Sequence, residues 1–306
     1  MRRAISYLLR FIALWIIFIV LFIISSTLTM PASLEATMTP EQVSASNAIL
    51  PVVCGIFTLV ITYLALRSRW HGWKLAATLA LIFYGVYTFL SQIETLAFRR
   101  VANAFPPDTV RGLFLSGLIL AAVFCPLAVL ILGKARRDPA EARANSRLQM
   151  SAVEWFWKLL LAAVLYVAVY FLFGYFVAWR TPGLPEFYGG SDPGTFFGQL
   201  GNVARDSPWL YPFQVLRGLI WAGLGCLIVG MHKGSALETI LATGSTFSIV
   251  MSAGMLFPNP VFPDFVARAH TLELVSSNFL FGVLLAALLL WQPGRLERGE
   301  LKPAAI

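Results

Sequence analysis

Charge is what this chain has least of. Asp, Glu, Lys and Arg make up only 12% of its 306 residues, against roughly 25% in an ordinary water-soluble domain. With 58% of the residues hydrophobic, too few charges remain to cover a soluble globule, so that class is excluded. Cysteine is equally sparse. Cys54, Cys125 and Cys226 fall in three different apolar runs without a C-x-x-C unit, which argues against a disulfide framework or zinc knuckle and for small apolar packing. There is no G-x-x-x-x-G-K-[S/T] phosphate loop, G-x-G-x-x-G, H-E-x-x-H or nucleophile elbow, so ATP hydrolysis is not expected. The short alternating segments of a membrane barrel are missing too. Only helices are left to satisfy the backbone in lipid.

What the chain does contain is long apolar runs separated by polar breaks. We count eight, over residues 11–24 (lengthened by Ile5, Tyr7, Leu8 and Leu9), 47–66, 75–98, 111–132, 155–179, 209–231, 235–257 and 265–291. The expected fold is therefore an all-α polytopic membrane protein with about eight transmembrane helices. The first run is read as an uncleaved span, because no small-x-small cleavage site follows Ile24. Placing the N-terminus in the cytoplasm puts sixteen of the 23 Lys and Arg on that side, six on the other and Arg217 within a span. This satisfies the positive-inside rule and predicts a multi-pass protein of the plasma (inner) membrane with both termini cytoplasmic. The net charge of +8 is then a topology signal in which basic loops meet anionic lipid head groups, and no nucleic-acid partner is expected.

The loops repeat a pattern of long, tight and basic, then shorter, which suggests a 4+4 duplication. The halves would be residues 1–132 and 154–306, joined by a basic cytoplasmic linker over 133–153. Pro51 and His71 bracket the second run at the separation at which Pro212 and His232 bracket the sixth. Pro107-Asp108 before Arg111 resembles Pro263-Asp264 before Arg268. Convergence is the competing explanation, since Pro, Asp and Arg suit any helix start at a membrane surface. The Pro- and Gly-rich loop over 181–208 is a candidate lid on the outer face.

The organising stretch is residues 257–291, where His270, Glu273 and Ser277 share one helix face and Asn278 lies to one side. The third run adds a polar stripe of Tyr84, Tyr87, Thr88, Ser91 and Thr95, flanked by Glu94 and, on the other side, Gln92. Arg217 lies at a depth similar to Glu94 and Glu273, and a charge inside a span costs at least about 2.5–3.5 kcal/mol unless paired. These residues predict an outward-facing polar cavity with Arg111 and Arg268 near its rim. Its ligand-binding set would be Glu94, Arg217, His270, Glu273, Tyr84, Tyr87, Gln92 and Asn278. A structural Glu94–Arg217 pair fixing helix register is the plainer reading.

The His270-x-x-Glu273 spacing could also supply two metal ligands with Glu94 as a third, although a lone H-x-x-E is common by chance. No cofactor is identified; haem ligation by His71 and His232 is less economical than their placement in basic turns. Gly244-x-x-x-Ser248-x-x-x-Ser252 in the seventh run reads as a close-packing face. Three functions stay open at this point. They are transport of a small anionic or lipid-like ligand, a membrane-embedded and possibly metal-dependent enzyme acting on a lipid-linked substrate, and a structural or sensory subunit of a membrane complex.

Overall fold

The computed structural model describes residues 2–136, 146–190 and 192–292. Among them the regular elements are all helices, eight of them long and apolar enough to cross a membrane. They are span 1 (Ile5–Thr29), span 2 (Pro40–Leu66), span 3 (Gly72–Ala97), span 4 (Thr109–Ile131), span 5 (Ala152–Ala178), span 6 (Leu210–Met231), span 7 (Ala236–Leu256) and span 8 (Asp264–Leu290). The protein is thus a polytopic helical membrane protein. Most of the expected linker charges, namely Arg137, Asp138, Glu141 and Arg143, and the tail over 293–306 lie outside the described residues.

Helix starts follow local chemistry. Thr39 accepts from the Gln42 amide while Gln42 reaches back to Thr39, and Pro40 opens the first turn. Span 2 accordingly starts at Pro40 and not at residue 47, its first turns being polar and exposed, where apolarity alone gives no signal. Ser151 and Glu154 form the same reciprocal cap on span 5, and Ser235 caps span 7. The loop over 181–208 contains a short helix, Leu184–Phe187, and an amphipathic helix, Phe196–Asp206, before span 6.

Two spans contain π-helical stretches: Tyr84–Phe89 in span 3 and Gly174–Ala178 in span 5. Each shifts the residues above it by about one position around the helix relative to those below.

Spans 1 and 2 pack together, as do spans 1 and 4 and spans 3 and 4. The second half repeats this, with span 5 on spans 6 and 8 and span 7 on span 8. Between these groups span 2 meets span 7, and span 6 meets span 3. Phe18, Phe57, Phe83 and Phe124 form a buried aromatic cluster among spans 1 to 4, and Trp221, Phe247 and Phe281 form one among spans 6, 7 and 8. Span 1 is locked in by Trp15, whose Nε1 donates to the Pro51 carbonyl at 2.7 Å, and by Ser116, whose hydroxyl donates to Ser25 at 3.1 Å.

Spans 7 and 8 approach backbone to backbone. A Cβ on Gly282 would lie 2.7 Å from Gly244 Cα, and one on Gly244 would lie 2.9 Å from the Phe279 carbonyl oxygen. The Ser248 hydroxyl donates across the same seam to the Val275 carbonyl at 2.7 Å. Gly282→Ala is therefore expected to destabilise the protein by about 1–3 kcal/mol, the usual cost of overpacking. Gly223→Ala, which meets nothing within 4 Å, should leave the thermal midpoint in detergent unchanged. Equal midpoints for the two variants would show that the seam is not tight.

Candidate functional site

Polar side chains inside the bundle collect in two layers. One joins the basic loops, and the other lies toward the opposite face.

On the basic face the turn after span 2 lies against the turn after span 6. Ser68 and His232 form an isolated antiparallel bridge, the Arg69 amide donates to the Met231 carbonyl at 2.8 Å, and the Lys233 amide donates to the Arg67 carbonyl at 2.9 Å. Glu238, at the start of span 7, accepts from both ends of the Arg67 guanidinium and, at 3.2 Å, from the Tyr63 hydroxyl. Arg147 donates to the His232 carbonyl and Thr239 hydroxyl, both at 2.9 Å, and to the Gly234 carbonyl. His232 itself is fully buried. Its Nδ1 accepts from the Gly234 amide at 3.2 Å, as a neutral ring requires. Burial lowers its pKa from 6.5 to about 4, the Glu238 carboxylate opposing the shift and Arg67, Arg147 and Arg69 adding to it.

On the opposite side Arg217 of span 6 is only 2% exposed and donates to Glu94 of span 3 at 2.6 Å. It also donates to the Gln214 amide oxygen at 3.0 Å and to the Leu90 carbonyl at 3.4 Å, just above the first π-helical stretch. The aromatic faces of Tyr166 and Phe213 lie 5.7 and 5.8 Å from its guanidinium carbon, close enough for cation–π attraction. The expected Glu94–Arg217 pair therefore exists, and it bridges the two groups of spans. Nearby on span 8, His270 Nδ1 is 2.9 Å from Glu273 Oε2, while its Nε2 is 2.7 Å from the Tyr188 hydroxyl of the loop over 181–208. Burial, and then the charges of Glu273 and Glu94, hold the Tyr188 hydroxyl well above its ordinary pKa. It therefore stays protonated and donates to Nε2, so a neutral His270 carries its own proton on Nδ1, facing Glu273. Gly174, opening the second π-helical stretch, faces Glu273: a Cβ there would sit 3.7 Å from Oε1.

The other expected ligand residues lead elsewhere. Tyr87 packs in the aromatic cluster of the first four spans, 4.7 Å from Phe57 and 5.4 Å from Phe83. Tyr84 rests against Phe89, Gln92 donates weakly to Ser91, and Asn278 donates to the Leu274 carbonyl of its own helix. The Tyr84–Thr95 stripe assumed an unbroken 3.6-residue turn, and the π-helical stretch breaks it. Nor do His270, Glu273 and Glu94 form a metal-ligand set. Both His270 nitrogens are engaged, Glu94 is held by Arg217, and no three His, Cys, Asp or Glu side chains group suitably among the described residues. A cavity of about 480 Å³ at this face is lined by Leu96, Phe105, Pro106, Asp108 and Arg111 among others, none of them from the cluster. The cluster itself is mostly enclosed, its Glu94 and His270 side chains being 24% exposed and Glu273 14%.

Sequence reading missed Tyr188, Gln214 and Tyr166. Gln214 was legible as an amide one turn before Arg217 in an apolar run; nothing in the loop sequence marks Tyr188.

Two outcomes are expected. Removing one member of a buried pair costs about 3–5 kcal/mol, so Arg217→Met should lower the thermal midpoint sharply and Arg217→Met with Glu94→Leu should recover much of it; a double variant no better than the single would argue against direct pairing. The contribution of neutral His232 should be whole above pH 6.5 and should fall as the pH drops toward 4, because the unfolded ring takes up its proton first. A thermal midpoint that falls between pH 7 and 4.5 equally in wild type and His232→Gln would refute this. The chain matches no protein family model, no curated protein and no solved structure, so its function rests on the geometry above.

Proposed function

We propose that this chain is a proton-linked secondary transporter, carrying a small anionic or lipid-like ligand across the plasma (inner) membrane with both termini in the cytoplasm. The observation that carries the reading is the buried Arg217–Glu94 pair. It joins spans 6 and 3 across the two groups of helices and lies among further titratable groups, His270 and Glu273. A proton taken up by Glu94 from the outer side cancels the pair and frees Arg217 for an anionic group, so proton and anion load together without net charge. The repeated packing of spans 1–4 and 5–8 supports two halves able to rock about this pair, as in transporters built from parallel repeats. The Arg67–Glu238 and Arg147 network supports a basic face that is shut while the site opens to the other side. Anionic lipid head groups would lie against those basic loops.

A second reading draws on the Tyr188–His270–Glu273 chain, a hydroxyl, a ring and a carboxylate in series. This order suits acid–base chemistry on a lipid-linked substrate at the outer surface. A purely structural or sensory subunit would need neither arrangement to titrate.

The test is uptake by purified protein in liposomes with an internal pH dye, against a panel of small anions and single-chain lipids. Transport predicts ligand-driven acidification that is lost in Glu94→Gln and Arg217→Lys. Counterflow that survives Arg217→Lys unaltered would count against it, and turnover of a lipid-linked substrate abolished by Tyr188→Phe would move the assignment to the enzyme.

A further inference from the structure

Span 6 carries two buried N–H donors that meet no acceptor, Gln214 Nε2 and Arg217 Nε, and a third, Trp221 Nε1, that has only the Tyr166 hydroxyl of span 5 beside it. All three side chains are buried, at 0%, 2% and 0% exposure. They stand at i, i+3 and i+7, within about 60° of one another around the helix, and so form one row. The row faces span 5, where the Tyr166 ring lies 5.7 Å from the Arg217 guanidinium carbon and 6.4 Å from the Trp221 ring. The Gln214 orientation is fixed by its neighbour. Arg217 can only donate, so the amide oxygen must face it and the NH₂ group must turn away. A donor left unmet inside a bundle forfeits the hydrogen bond it had with water, and in lipid no solvent relieves it. Two unmet donors one turn apart are the imprint of an acceptor-rich partner.

Resting on the transport reading above, we infer that this row is an oxyanion site and that its ligand is a small monocarboxylate with an apolar or aromatic body. Charge decides the valence. Arg217 brings one positive charge, and protonating Glu94 releases that charge for one negative group, whereas a dianion would leave a charge uncompensated among buried apolar rings. Chemistry decides the group, because a carboxylate offers two acceptor oxygens, one for the Gln214 NH₂ group and one for Arg217 Nε. The flanking rings of Tyr166, Phe213 and Trp221 receive the body. The titratable and charged groups facing the site are Glu94 from span 3, Tyr166 and Tyr170 from span 5, Arg217 from span 6, His270 and Glu273 from span 8, and Tyr188 from the loop.

The experiment is ligand binding to the full chain in detergent, read by thermal shift and calorimetry, with benzoate and butyrate as probes and sulfate, phosphate and benzylamine as controls. The monocarboxylates should bind and the controls should not. Since one proton is taken up with each anion, affinity should rise by up to about tenfold per unit of acidification. Glu94→Gln should bind at least as tightly with that pH dependence removed. Gln214→Leu, which deletes a donor without changing charge, should weaken binding at least about tenfold, as expected for a charge-assisted hydrogen bond. Failure of both carboxylates to bind wild type and Glu94→Gln would overturn the site, as would binding unaffected by Gln214→Leu. Binding as expected without uptake in liposomes would leave the site standing and remove the transport reading; uptake of a carboxylate indifferent to Gln214→Leu would do the reverse.

Discussion

Arg217 is the residue around which the interior is arranged. A guanidinium in a span must find charge, hydrogen bonds and polarisable surface, because lipid offers none of them. Glu94 supplies the charge from span 3, Gln214 and the Leu90 carbonyl supply acceptors, and Tyr166 and Phe213 supply ring faces. Meeting that demand pulls spans 3, 5 and 6 to a common depth and sets the register between the two groups of helices. The His270–Glu273–Tyr188 chain then closes the same region from span 8 and the loop.

The opposite end of the bundle solves a different problem. Its basic residues are crowded in tight turns, where like charges repel. Carbonyl oxygens at helix C-termini absorb them: Arg10 donates to the Leu132 carbonyl at 3.1 Å, Lys158 to that of Trp291, and Arg147 to that of His232. Terminal carbonyls have no partner within their own helix and carry the negative end of its dipole, so each such contact meets two needs. The side chains expected to orient the chain in the membrane also stitch the two turns together.

Much of this was legible in the residues. Apolar length alone located all eight spans, and the depth of Arg217 and Glu94 along their helices was enough to expect their pairing. The Gly244-x-x-x-Ser248 spacing marked a close-packing face, and the structure supplies span 8 as its partner. What remained hidden depends on events that no regular period records. The π-helical stretch in span 3 turns Tyr84 and Tyr87 away from the Glu94 level, and no residue type announces it. The polar first turns of span 2 are held by a Thr39–Gln42 cap outside any apolar run. Tyr188 reaches His270 because a loop folds back over the bundle, a long-range contact that neighbouring residues do not encode.

The glycine seam between spans 7 and 8 has a mechanical meaning as well. Two helices in backbone contact along a shared ridge, with a serine hydroxyl bridging them, resist both sliding and splaying. They behave as a single stiff plank. Any deformation of the molecule must then concentrate where contacts are sparse and side chains intervene, along the border where span 2 meets span 7 and span 6 meets span 3. Span 8 carries His270 and Glu273, so the plank delivers both groups together, as one rigid cargo, to whatever position that border allows.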